Sequence, residues 1–127
     1  MKKVINTPNA PAPIGPYNQA ILSGNTLYVS GQIALNVETG NLILTDIKAE
    51  TKQVMENLKA VIEAADMTFD DVVKSTIFIN DMNDFVSINE VYGSYFDDAN
   101  APARETVQVA KLPKNVNVEI SMIAVKS

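Results

Sequence analysis

Val72-Val73-Lys74-Ser75-Thr76-Ile77-Phe78-Ile79 carries no glycine or proline and is rich in β-branched residues. Val73, Ser75, Ile77 and Ile79 alternate with Val72, Lys74, Thr76 and Phe78. Both faces are therefore partly apolar, and the segment reads as a central strand. On its N-terminal side the period changes. From about Asp46 to Ala65, Ile47, Val54, Leu58, Val61, Ile62 and Ala65 recur at helical spacing, with Thr45 or Asp46 placed to cap the start. On its C-terminal side a second helix is predicted from Asn83 or Asp84 to Phe96, with the stripe Phe85, Ile88, Val91, Tyr92, Tyr95 and Phe96.

Further out, Tyr17–Leu22 and Thr26–Leu35 read as two strands around the turn Ser23-Gly24-Asn25, hence a hairpin. Strict alternation along the second would put Leu27, Val29, Gly31 and Ile33 on one face. Glu105–Ala110 and Val116–Val125 are the last two strands. The proline-rich segment Asn6–Pro16 cannot be regular helix. The order hairpin, helix, strand, helix, strand, strand predicts one α/β (α+β) domain over residues 1–127, with two helices on one face of a sheet. In the final strand Val116, Val118, Ile120, Met122 and Ala124 form an apolar row. Asn117, Glu119 and Ser121 form a polar row that turns apolar at Ile123 and Val125, as expected of a subunit interface containing a pocket.

Composition removes several function classes. At 46% hydrophobic residues the chain can bury a core, yet no stretch reaches the ~20 apolar residues of a membrane span. Met1-Lys2-Lys3 leads into Asn6-Thr7-Pro8-Asn9 rather than an apolar export signal, so the expected location is cytoplasmic. Without Cys or His there is no thiol nucleophile, zinc site or imidazole base, and no spaced acidic loop points to another metal. The net charge is −5 and the nine lysines are scattered, which argues against nucleic acid as a partner.

Arg104 is the only arginine. Its planar fork suits a small carboxylate or phosphate. It shares the polar face of its strand with Thr106 and Gln108. Glu119 sits between Val118 and Ile120, where a carboxylate is costly to bury unpaired. Asn89 interrupts the apolar stripe of the second helix, four residues after Phe85 and three before Tyr92. Gly31, in Ser30-Gly31-Gln32, marks close backbone approach or a β-bulge. A surface ion pair for Arg104, a solvated strand for Glu119 and a capping amide for Asn89 are the plain structural alternatives.

These residues lie within a longer likeness. Ala12-Pro13-Ile14-Gly15-Pro16-Tyr17-Asn18-Gln19-Ala20, Ser30-Gly31-Gln32-Ile33 and Asn57-Leu58-Lys59-Ala60-Val61-Ile62-Glu63-Ala64-Ala65 resemble the RidA/YjgF family. So do Asn80-Asp81-Met82-Asn83-Asp84-Phe85, Pro102-Ala103-Arg104, Val109-Ala110-Lys111-Leu112-Pro113-Lys114 and Val118-Glu119-Ile120. The resemblance covers essentially the whole chain. It implies a chorismate-mutase-like fold and a homotrimer with clefts between subunits. It implies hydrolysis of reactive 2-imino acids (2-iminobutanoate, 2-iminopropanoate) to 2-oxo acids and ammonia, with no metal or organic cofactor. By position, Arg104 clamps the substrate carboxylate and Glu119 attends the water. Tyr17, Ser30, Gly31 and Asn89 match cleft positions, and Thr106 matches one that contributes a backbone N–H and is Cys in some relatives. The residue after the arginine is usually small in the family but is Glu105 here; alternation points it away from Arg104. The residue pattern alone would let the last two strands pair as a hairpin, whereas the family fold inserts Val72–Ile79 between them.

Three other readings stand beside this one. The same cleft would serve a regulatory protein that binds 2-oxo acids and turns nothing over. An RNA-cleaving inhibitor of translation, an activity attributed to some relatives, sits poorly with the acidic charge, the missing histidine and the single arginine. Chorismate-mutase chemistry rests on shared fold alone, a poor warrant.

Overall fold

A computed structural model describes residues 2–127. Six strands form one sheet in the order β1-β2-β3-β6-β4-β5. They are β1 (Lys2–Ile5), β2 (Ala20–Ser23), β3 (Thr26–Gln32), β4 (Val72–Ile79), β5 (Ala103–Gln108) and β6 (Val118–Val125). β4 is interior, as its two apolar faces require, and it separates β5 from β6. The hairpin allowed by the residue pattern does not form. β5 runs parallel to β4, so the chain must cross over between them, and α2 (Phe85–Gly93) lies on that crossover.

α1 spans Ile47–Ala64. Asp46 caps it, its Oδ1 accepting from the Ala49 N–H at 2.8 Å. At the other end Asp66 takes φ 59°, Asp66 N donates to Glu63 O at 3.0 Å, and Met67 N to Ile62 O at 3.2 Å. That paired closure usually has glycine at the left-handed position. α1 and α2 pack over one sheet face, where Val54, Leu58, Val61, Ile62, Ile88 and Tyr92 share a core with Leu27, Val29, Ile77, Ile79, Val118, Ile120, Met122 and Ala124. Among the described residues the opposite face carries no helix.

Several predicted boundaries move. β2 starts at Ala20, leaving Tyr17 in the preceding loop, and β3 ends at Gln32. The β3–β6 register shifts between Val29 and Gln32, so Gly31 lies on a bulge. That extra residue brings Gln32 and Ala34 to the buried side in place of Gly31 and Ile33. α2 stops at Gly93, three residues before Phe96. β5 begins at Ala103 and ends at Gln108, and β6 begins at Val118. β1 was not foreseen. As an edge strand with only Ile5 buried, it has almost no alternating pattern.

Two buried polar side chains tie loops to this frame. Gln19 accepts from Thr7 N at 2.7 Å and donates to Thr7 O, Ala10 O and Pro11 O at 2.9–3.2 Å, anchoring the proline-rich segment. Glu50, fully buried in the first turn of α1, accepts from Asn117 N at 2.7 Å, Asn117 Nδ2 at 2.8 Å and Val118 N at 3.2 Å. These bonds lock the helix to the start of β6, and the helix N-terminus adds favourable charge. Among the described residues no helix is long and apolar enough to cross a membrane.

Candidate functional site

Arg104 and Thr106 lie opposite Ser75 and Ile77 of β4, on the face turned toward the helices. The polar row of β5 therefore meets α2 rather than open solvent. Phe85, Asn89 and Tyr92 share one side of that helix, and all three reach the arginine. Arg104 Nη1 donates to Asn89 Oδ1 at 2.6 Å. Its Cζ stands 5.7 Å from the centre of the Phe85 ring and 5.1 Å from that of Tyr92. Rings at such distances attract the cation and hold its plane. Tyr92 is itself fixed by donating its hydroxyl to Ser75 Oγ at 2.9 Å in the core. Burial pushes the Tyr92 phenol up, against the Ser75 hydrogen bond and the Arg104 charge, which pull it down.

No carboxylate pairs with Arg104 among the described residues. Its fork is oriented by an amide and two rings while the charge stays uncompensated. Among the described residues the surface ion pair that was the plain alternative for Arg104 is absent, and Asn89 orients the arginine instead of capping a helix. Glu105 points to the other face, where it pairs with Lys74 at 3.2 Å, as alternation predicts.

Glu119 lies opposite Phe78 of β4, on the open face. It is half-buried, and burial raises its carboxyl above the ordinary value. Its side chain lies across Gly31: a Cβ there would fall 2.8 Å from Glu119 Oε2 and 2.9 Å from its carboxyl carbon. Both readings of Gly31 thus hold, the bulge and the close approach. Ser30, next along the bulge, donates from Oγ to Asn18 O at 2.6 Å, and its N–H binds Gln19 O at 2.9 Å. Tyr17 follows from this tether. It is about half exposed, its hydroxyl accepts from Ile14 N at 3.4 Å, and with Gly31, Ile14 and Lys114 it lines a cavity of about 50 Å³.

The seven candidates thus form two groups. Arg104, Asn89 and Thr106 meet under α2, beside the edge strand β5. Glu119, Gly31, Ser30 and Tyr17 gather over the β3 bulge on the opposite face. Within one chain the cation and the carboxylate do not share a cleft. A roomier groove of about 560 Å³ lies along α1, lined by Asn36, Gln53, Glu56, Asn57 and Glu63 among others. Asn57 there is spent on Ile33 O, Leu35 O and Gln53, so the groove reads as a solvated surface.

The family described as Endoribonuclease L-PSP matches residues 7–126. The chain belongs to the RidA/YjgF family. A RutC family protein of Pyrococcus horikoshii is 52% identical over 126 residues, 99% of each chain. The 2-iminobutanoate/2-iminopropanoate deaminase of Escherichia coli is 47% identical over 128 residues, again 99% of each. The structure of E. coli TdcF with bound serine superposes with a TM-score of 0.93 at 45% identity, covering 98% of this chain and 99% of that one. RidA/YjgF membership agrees with the sheet order, in which β4 divides the last two strands. Phe85, Tyr92 and Ser75 had registered in the sequence only as apolar stripe and strand. The signal for the two rings was their spacing around Asn89, which puts all three on one helical side.

Proposed function

We propose that this RidA/YjgF protein hydrolyses reactive 2-imino acids such as 2-iminobutanoate and 2-iminopropanoate to 2-oxo acids and ammonia. The site is shared between copies of the chain. The observation that carries this reading is the separation of Arg104 from Glu119 on opposite sheet faces. A cation oriented by Asn89, Phe85 and Tyr92, with no carboxylate of its own, calls for an anionic ligand. A carboxyl raised by burial, and held over Gly31, suits an attacking water. Bringing the edge strand of one copy against the open face of the next joins the two groups. Closing that arrangement in a homotrimer makes three equal sites. The open face offers apolar surface for such a contact, with Tyr28, Val107 and Val125 between 38% and 51% exposed.

Arg104 takes the substrate carboxylate in its fork, which places C2 for attack. Protonation of the imine makes C2 electrophilic. A water held by Glu119 adds there and its first proton passes to the carboxylate and on to nitrogen; the C–N bond then breaks to release ammonia as the remaining hydroxyl proton goes to the carboxylate and the 2-oxo C=O forms. The developing positive nitrogen is supported by the same negative charge. Neither histidine nor a cofactor is needed. The deaminase name of the E. coli relative supports this reading. The serine bound to TdcF supports a site for small carboxylates, and would equally suit a protein that only binds them.

Turnover of freshly generated 2-iminobutanoate and 2-iminopropanoate separates the two. Arg104→Ala is expected to lower kcat/KM by about 100-fold or more while the fold persists, and Arg104→Lys to recover little, because a point charge replaces a bidentate fork. Near-normal turnover in Arg104→Ala would overturn the assignment. A wild-type chain that binds 2-oxo acids without turning over imines would establish the regulatory reading.

A further inference from the structure

Arg104, Thr106 and Gln108 alternate along one face of β5. The outer two have partners on the α2 side: Arg104 bonds Asn89, and Gln108 Oε1 accepts from Met82 N at 2.8 Å. The middle one has none. Thr106 Oγ1 is the only buried side-chain oxygen or nitrogen among the described residues that lacks a hydrogen-bond partner. Around it are Ile77, Ile79, Phe85, Ile88, Asn89 and Arg104. Only the last two bring polar side-chain atoms. Neither hydrogen-bonds the hydroxyl: Arg104 and Asn89 are instead bonded to each other. A buried hydroxyl left in this state is destabilising, and such an exception invites a ligand.

We propose that the Thr106 hydroxyl is a second binding group for the ligand carboxylate, uncovered when Arg104 leaves Asn89 to grasp that carboxylate. This rests on the reading of Arg104 given above and extends it to a side chain matched only for its backbone N–H. A carboxylate has two oxygens with about four acceptor directions, enough for the arginine fork and one hydroxyl together. The amide oxygen of Asn89 is a stand-in that meets the arginine and not the threonine. The ligand-free chain thus holds the arginine parked and the threonine unpaired, and a small carboxylate resolves both. A neutral ligand of the same shape would resolve neither.

The test compares Thr106→Val, which deletes the hydroxyl at nearly constant volume, with Thr106→Ser, which keeps it. Binding of 2-oxobutanoate is measured by calorimetry, and the ligand-free melting temperature is measured alongside. Thr106→Val is expected to weaken binding by about tenfold, with Thr106→Ser within about threefold of wild type. The ligand-free Tm of Thr106→Val should be equal or higher, since an unpaired buried group is removed. Unchanged binding in Thr106→Val, or a lower Tm that reveals a structural partner, would overturn the proposal. If Thr106→Val does not fold, Thr106→Ala set against Thr106→Ser gives the same comparison. Arg104→Ala is the control. If it too binds 2-oxobutanoate normally, the carboxylate clamp itself is wrong. If it loses binding while Thr106→Val keeps it, only the hydroxyl assignment falls.

Discussion

At residue 31 nothing larger than hydrogen fits without moving the carboxylate of Glu119. Gly31→Ala is therefore expected to act as a displaced-Glu119 variant, lowering kcat while leaving Arg104-dependent binding of 2-oxobutanoate nearly intact. Unaltered kcat would show that the carboxylate position is unimportant. Glu119→Gln tests the charge directly. It should reduce kcat by roughly 10- to 100-fold with little change in KM, the loss of one charge-assisted contact made in the transition state. The same substitution has a signature in stability. Burial raises the Glu119 carboxyl above its ordinary value of 4.5, so the folded chain favours the protonated form. That contribution is complete below 4.5 and is lost as pH rises through the folded value. Glu119→Gln should thus melt at or above wild type near neutrality, with the gain shrinking toward pH 4, as thermal melts across pH would record. Rarity made Arg104 legible in the sequence, and an apolar mid-strand setting did the same for Glu119. Ser75 carried no such signal, and Thr106 was marked by the family resemblance for its backbone N–H alone, because an ordinary hydroxyl in a strand looks alike whether its partner is water, a ring or nothing.

The elements were legible where burial imposes a period. α1 and β4 match their predicted spans closely, since each is held on a broad apolar surface. The ends of β2, β3 and α2 were less so, because side-chain anchors set them. Gln19 bonds three carbonyls of the proline-rich segment, and Ser30 bonds the carbonyl of Asn18, so the residues before Ala20 leave the sheet and carry Tyr17 with them. Glu50 is the firmest of these anchors. An acidic residue in a first helical turn is usual on the surface, which is why its sequence context hides its burial. Glu50→Ala would leave the buried Val118 N–H and the Asn117 N–H without their acceptor, a cost of about 3 kcal/mol. Chemical denaturation should show the midpoint fall at unchanged slope. A loss under about 0.5 kcal/mol would mean that water replaces the carboxylate.

For the whole molecule, the opposed placement of Arg104 and Glu119 predicts that two defective chains can repair each other. Arg104→Ala and Glu119→Gln subunits, each feeble alone, should regain about a quarter of wild-type activity when unfolded together in equal amounts and refolded. In the proposed trimer each contact would draw its cation from one copy and its carboxylate from the next, so a random assembly would leave about one contact in four intact. A mixture no better than the average of its parents would confine the site to one chain. The sequence pattern alone could not have revealed this division. Alternation tells which residues share a face of one strand, but the face is assigned only when register is known, and β5 and β6 acquire theirs from the strand between them. The lone arginine, gripped by two rings and an amide, has a practical corollary. A sample labelled with nitrogen-15 only in arginine contains a single guanidinium per chain. Its Nε–H resonance, shifted by the currents of the Phe85 and Tyr92 rings, would be a one-line spectrum of the site, in which ligand capture and release of Asn89 appear without assignment of any other signal.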